Sequence, residues 1–150
     1  MSVVAGMGTG FLLAVLWFDL MFDVQVRGQA AGELPADVRN SIAAYYRRVT
    51  TDAHPMSRLV AAAMLMTIAA LAGAAARHDV RAWAAWPALG LVVAAVGLAA
   101  ARTVRNAVRL GSQAGTATEQ SVLARTILRD HAACLAAVAL ALVLEIAGAR

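Results

Sequence analysis

The sequence predicts an all-α integral membrane protein, a four-helix bundle with up-down topology. Hydrophobic residues make up 61% of the 150-residue chain and charged residues only 15%, which is not the composition of an ordinary soluble domain. A helix needs roughly 20 apolar residues to cross the hydrocarbon core of a bilayer. Four segments approach that length and predict a single transmembrane domain: residues 3–24, 57–76, 83–101 and 131–148. Alternating strand patterns are absent from them, and a backbone in lipid must satisfy its own hydrogen bonds, so each is predicted to be a helix.

The first half of the chain contains one span and a shorter helix before the second span. The first span lacks a basic leading region and ends in acidic groups, so we expect a permanent helix rather than a cleaved secretory signal. Glycines and a proline in GQAAGELP predict a loop after it. Apolar residues then recur at helical spacing across residues 36–53, which predicts a short amphipathic helix containing Val38, Ile42, Tyr45, Tyr46 and Val49.

The third and fourth spans are predicted to form a hairpin that protrudes from the bilayer. The stretch GSQAGTATEQ breaks the helical pattern, and Thr116 with Glu119 has the spacing of a capping box at the start of a helix. Apolar residues continue at Val104 and Val108 before this turn and at Ile127 after it. Both helices are therefore expected to extend beyond the membrane.

Arginine distribution predicts how the bundle is oriented. All thirteen basic residues are arginines, and cytoplasmic connections of membrane proteins carry an excess of such residues. Ten of them fall in the connection between spans 1 and 2 or in the hairpin, at Arg27, Arg39, Arg47, Arg48, Arg58, Arg102, Arg105, Arg109, Arg125 and Arg129. We expect both long connections in the cytoplasm and both termini outside, in a bacterial inner membrane. The net charge of +4 is small and scattered, so a nucleic-acid partner is not expected.

Two acidic residues near the inner end of the first span are the strongest functional signal. Asp19 and Asp23 lie one helical turn apart, in LWFDLMFDVQV, and project from one face. A carboxylate inside a membrane span is costly unless it is paired, neutralised or facing water. Two interpretations stay open, namely a structural ion pair with an arginine and a carboxylate that handles protons or binds a ligand.

An up-down bundle would bring further polar residues to the depth of these two acids. They come from the other three spans: His54, Arg58, Arg102, Arg105, Asn106, Arg109, Arg129, Asp130 and His131. Arg102, Asn106 and Arg109 share a helix face and would offer guanidinium donors to an anionic or quinone-like ligand. The alternative is that these arginines only anchor the protein at the inner interface. His54 and His131 lack the spacing of metal ligands, so we predict no metal site and identify no cofactor.

Glycines spaced along two spans predict close helix contacts. Gly6 with Gly10, and Gly90 with Gly97, form small-residue faces that let another helix approach. One short bundle does not need both faces. We therefore expect a homo-oligomer or a complex with another membrane protein.

The last third of the chain resembles the small four-helix membrane proteins grouped with anthrone oxygenases. The similarity rests on Asn106 and Arg109–Leu110 in RTVRNAVRLG, and on the arginine- and histidine-bearing stretch LARTILRDHAACLAAVALAL. Carried over to this sequence, the resemblance implies that Asn106, Arg109, Arg125 and His131 line a polar pocket at the inner end of the bundle.

Two classes of function follow. In the first, a small membrane oxidoreductase or oxygenase admits an apolar aromatic or quinone-like ligand between its helices. Asp19 and His131 would then be the catalytic acid–base residues, and the ligand-binding residues would be Asp23, His54, Arg58, Arg102, Asn106, Arg109 and Arg125. In the second, the protein is a non-catalytic accessory or assembly subunit of a membrane complex.

Overall fold

A computed structural model describes residues 3–78 and 80–149, without the side chain of His54. Within that part of the chain the protein is about 86% helical and has no strand, so the predicted all-α class is confirmed. Its helices are α1 (Val3–Asp23), α2 (Ala36–Arg47), α3 (His54–Ala76), α4 (Ala82–Leu98), α5 (Val104–Gly111) and α6 (Ala117–Ala147). A 3₁₀ turn at Val24–Val26 follows α1, and π-helical segments at Arg48–Asp52 and Ala99–Thr103 join α2 to α3 and α4 to α5.

Four helical segments are long and apolar enough to cross a membrane, as predicted. They are Val3–Val26, Pro55–Ala76, Ala82–Gly111 and Ala117–Ala147. The last two contain 30 and 31 residues, or about 45 Å of helix at 1.5 Å per residue. Because the hydrocarbon core is about 30 Å thick, both extend beyond it, and the predicted protruding hairpin is confirmed.

The four spans form a square in which α1 and α4 both contact α3 and α6. Small and branched side chains fill the centre, including Ala88, Val92, Val138 and Ala141. At Gly8, a Cβ atom would collide with the hydroxyl of Thr67, so this glycine lets α1 approach α3.

The glycines singled out in the sequence lie elsewhere. Gly10, Gly90 and Gly97 have no heavy atom of another helix within 4 Å of the position a Cβ would take. They are therefore not contacts of the bundle itself, and assembly with a further chain stays a prediction.

Helix α2 caps the end of the bundle that carries Asp19 and Asp23. Its apolar face buries Ile42, Ala43 and Tyr46, which pack with Leu110 of α5 and Ile127 of α6. This confirms the predicted amphipathic helix.

Two local features hold the hairpin and α2 together. A Cβ at Gly111 would lie only 2.7 Å from the backbone nitrogen of Arg47, so a glycine is required where α5 meets α2. The predicted capping box of α6 is confirmed: Glu119 accepts a hydrogen bond from the Thr116 amide at 2.7 Å, and the Glu119 amide donates to the Thr116 hydroxyl at 3.2 Å.

Candidate functional site

Five polar side chains from three helices meet where α2 folds over the end of the bundle. They are Asp19 and Asp23 of α1, Tyr45 and Tyr46 of α2, and His131 of α6. The one-turn spacing of the two acids points both toward α2 and α6. Each of the two adjacent tyrosines forms a hydrogen bond with one of the acids, Tyr45 with Asp19 and Tyr46 with Asp23.

Asp23 fixes the imidazole of His131. Its carboxylate is fully buried, with Oδ2 2.7 Å from Nδ1 of His131. The Tyr46 hydroxyl donates to Oδ1 at 2.7 Å and lies 3.4 Å from the same imidazole nitrogen. With Nδ1 held in this way, Nε2 is the ring nitrogen left to meet a ligand.

Asp19 stands on the other side of the ring. Its Oδ2 lies 3.8 Å from Nε2 of His131, and its Oδ1 accepts a hydrogen bond from the Tyr45 hydroxyl at 2.7 Å. The Tyr45 ring stacks on Phe22, with centroids 4.0 Å apart. The Asp19 side chain is 17% exposed whereas that of Asp23 is 0% exposed, so Asp19 is the carboxylate that an incoming molecule would reach.

Both tyrosines act as hydrogen-bond donors in this cluster. Burial, reinforced by the neighbouring carboxylates, raises the pKa of Tyr45 and of Tyr46 well above the ordinary value of 10.0. The phenols therefore keep their protons at physiological pH. Each proton is directed at a carboxylate oxygen.

The cluster forms one end of a cavity of about 630 Å³ between α1, α3, α4 and α6. This volume lies within the range of small-molecule sites. Asp19, Tyr45, Tyr46 and His131 line the polar end. The rest of the wall is mainly apolar and includes Leu12, Leu16, Phe18, Met56, Val60, Met64, Ala95, Val96, Val104, Cys134 and Val138.

A second polar group lies on the adjacent residue of α6. Asp130 is buried and pairs with Arg102, whose Nε lies 3.0 Å from Oδ2. The Thr103 hydroxyl donates to the same oxygen at 3.2 Å. Arg102 and Thr103 belong to the π-helical segment, so this widened turn brings both side chains to one carboxylate.

The structure brings together only part of the predicted site. Asp19 and His131 line the cavity, and Asp23 contacts Nδ1 of His131 without lining the cavity itself. Like Asp23, five further predicted ligand-binding residues lie outside the cavity wall: Arg58, Arg102, Asn106, Arg109 and Arg125. The side chain of His54 lies outside the described residues.

Two of these arginines have partners that explain their positions. Arg102 binds Asp130, and Arg125 donates to the carbonyl oxygens of Ala30 and Gly32 in the loop before α2. The arginine partner considered for Asp19 and Asp23 is replaced by tyrosine and histidine. In the described part of the chain, no three His, Cys, Asp or Glu side chains are placed to hold a metal ion.

Tyr45 and Tyr46 are the site residues that sequence reasoning missed. Their spacing predicts an amphipathic helix and no role in the site. A usable signal was present, since two adjacent phenols stand on a helix that must fold back over the span end carrying two acids.

Comparison of this chain with family models, with curated proteins and with solved structures finds no match. The resemblance to the anthrone oxygenase group therefore remains an expectation.

Proposed function

We propose that this membrane protein binds an apolar ring-bearing molecule with an acidic hydroxyl, and that His131 accepts the hydroxyl proton. One observation carries the proposal. At the wall of a 630 Å³ cavity, buried Asp23 holds Nδ1 of His131 while Nε2 remains on the side of Asp19. This is the arrangement of a base oriented by a carboxylate.

The cavity selects for a mostly apolar ligand. Its long walls carry aliphatic and aromatic side chains, and polar atoms converge at the end formed by Asp19, Tyr45, Tyr46 and His131. An aromatic or quinone-like ring with a hydroxyl group matches this distribution.

Proton transfer follows from the same geometry. The ligand O–H bond breaks as its proton moves to Nε2, leaving a ring anion and an imidazolium flanked by the carboxylates of Asp19 and Asp23. A deprotonated ring gives up electrons more readily than the neutral one. We propose this proton removal as the step that prepares such rings for oxidation by a separate electron acceptor, as a membrane oxidoreductase or oxygenase would require.

Substitution of Asp19 by asparagine tests this function. The amide keeps an acceptor for Tyr45 but cannot offset the charge of a protonated His131. In nanodiscs, we expect wild-type protein to bind 1-naphthol saturably and to hold part of it as naphtholate, which absorbs at a different wavelength. Asp19→Asn should lower the ratio of bound naphtholate to naphthol by about tenfold, with little change in melting temperature.

The alternative for Asp19 gives a different result. A merely structural carboxylate predicts that Asp19→Asn lowers the melting temperature and leaves the naphthol spectrum unchanged. Naphthol binding no greater than that of empty nanodiscs would refute the proposed function outright.

We further propose that the α2 cap and the α5–α6 turn face the cytoplasm of a bacterium, with the protein in its inner membrane. The support is the arginine excess on those connections. Starting from a Cys134→Ser background, a cysteine at Ser112 should react with an impermeant thiol reagent only after the membrane is opened. A cysteine at Ala149 should react in intact cells. The reverse pattern would invert the assigned orientation.

An accessory role is the second candidate function. It is favoured by the outward-facing Gly10, Gly90 and Gly97, which leave room for the backbone of another helix. This role requires a stable partner chain, either a copy of this protein or another membrane protein. It does not require naphthol binding.

A further inference from the structure

The cavity is larger than its polar end requires. A cavity of about 150 Å³ holds a benzene molecule, whereas this one measures about 630 Å³. From Asp19 to Leu12, and from His131 to Val138, the lining residues span seven helical positions, or about 10 Å along each helix. An apolar arm therefore runs from the polar end toward the middle of the bundle.

The cavity also opens sideways. Several of its lining residues are at the same time exposed on the protein surface, namely Phe18, Phe22, Met56, Ser57, Ala61, Val104 and Val108. Met56, Ser57 and Ala61 belong to the first two turns of α3, where residues 55–59, 61 and 62 are all exposed, and the other four belong to α1 and α5. The opening thus flanks the inner half of α3.

The side of that opening formed by α1 and α3 lies at membrane depth, whereas Val104 and Val108 belong to the hairpin that extends beyond the hydrocarbon core. Phe18 belongs to the span Val3–Val26 and Met56 to the span Pro55–Ala76. Large apolar side chains exposed on a membrane span face lipid rather than water. A molecule dissolved in the bilayer has direct access to the cavity.

From these three features we infer that the ligand is a lipid-soluble hydroxylated ring that carries an apolar tail and enters from the bilayer beside α3. Its ring hydroxyl meets His131 and Asp19 at the polar end. Its tail lies in the apolar arm along Leu12, Ala61 and Val138. The inference rests on the proposed function and adds the substrate class to it.

Three probes test the inference in nanodiscs, with affinities expressed per mole fraction in the lipid: 1-naphthol, 2-decyl-1-naphthol and decanol. We expect the tailed naphthol to bind at least about tenfold more tightly than naphthol, and decanol to compete poorly. Ala61→Leu narrows the arm and should remove this gain, so that the tailed naphthol binds no more tightly than naphthol itself. Ala62→Leu is the matched control, since Ala62 is exposed on the same helix but does not line the cavity.

Each contrary result identifies what has failed. Equal affinities for the two naphthols would overturn the inference that the ligand carries an apolar tail, and would leave the proposed function standing. An equal loss of affinity for the tailed naphthol in Ala61→Leu and Ala62→Leu would have the same meaning. Competition by decanol as strong as that of the tailed naphthol would show a site for ordinary acyl chains and would also overturn it. Absence of naphthol binding in wild-type protein would refute the proposed function and this inference together.

Discussion

Replacing His131 by asparagine is expected to abolish proton transfer to the protein while preserving the fold. The shorter amide places a nitrogen near the position of Nδ1, where it can still donate to the buried Oδ2 of Asp23. Nothing remains at the position of Nε2, 3.8 Å from Asp19. A tenfold change in the ratio of bound naphtholate to naphthol corresponds to about 1.4 kcal/mol, and we expect loss of the proton acceptor to lower this ratio by on the order of 10²-fold.

Two comparisons separate this effect from damage to the protein. The melting temperature of His131→Asn should stay close to that of wild-type protein, and neutral naphthol should still occupy the apolar cavity. Cys134→Ser, one turn further along α6 and also on the cavity wall, should keep the naphtholate spectrum. Naphtholate formation that is undiminished in His131→Asn would remove His131 from the mechanism.

The fold was predictable because its main determinants act locally along the chain. Hydropathy located the four spans, and the helical spacing of apolar residues such as Ile42 and Tyr46 located α2. The capping box at Thr116 and Glu119 placed the start of α6. Each of these signals depends on neighbouring residues and needs no knowledge of how the helices pack.

The site was only half predictable, because it depends on which helix faces meet. The predicted spans place Asp19, Asp23 and His131 at the same depth in the membrane, and in the structure their side chains do converge. Depth also placed Arg102 there, but the π-helical segment turns Arg102 and Thr103 toward Asp130. Neither π-helical segment has a sequence signal of the kind that marks a capping box or a turn.

The buried carboxylate of Asp23 explains how a histidine can be kept in a fixed orientation inside a membrane protein. Asp23→Ala would leave the Tyr46 hydroxyl and Nδ1 of His131 without their common partner. Removing one member of such a buried pair typically costs about 3–5 kcal/mol. We expect a loss of that size in the free energy of unfolding, measured by reversible denaturation in mixed micelles.

Matched variants make that expectation specific. Asp52 is 58% exposed and lies 3.8 Å from an exposed Arg47, so Asp52→Ala should change the stability by less than about 1 kcal/mol. The double variant Asp23→Ala, His131→Ala should cost less than the sum of the two single changes, because once His131 is absent, Asp23 has only Tyr46 left to bind. Strict additivity would show that the two side chains are energetically independent. Their 2.7 Å contact would then contribute nothing measurable to stability. The fixed orientation of Nε2 would need another explanation.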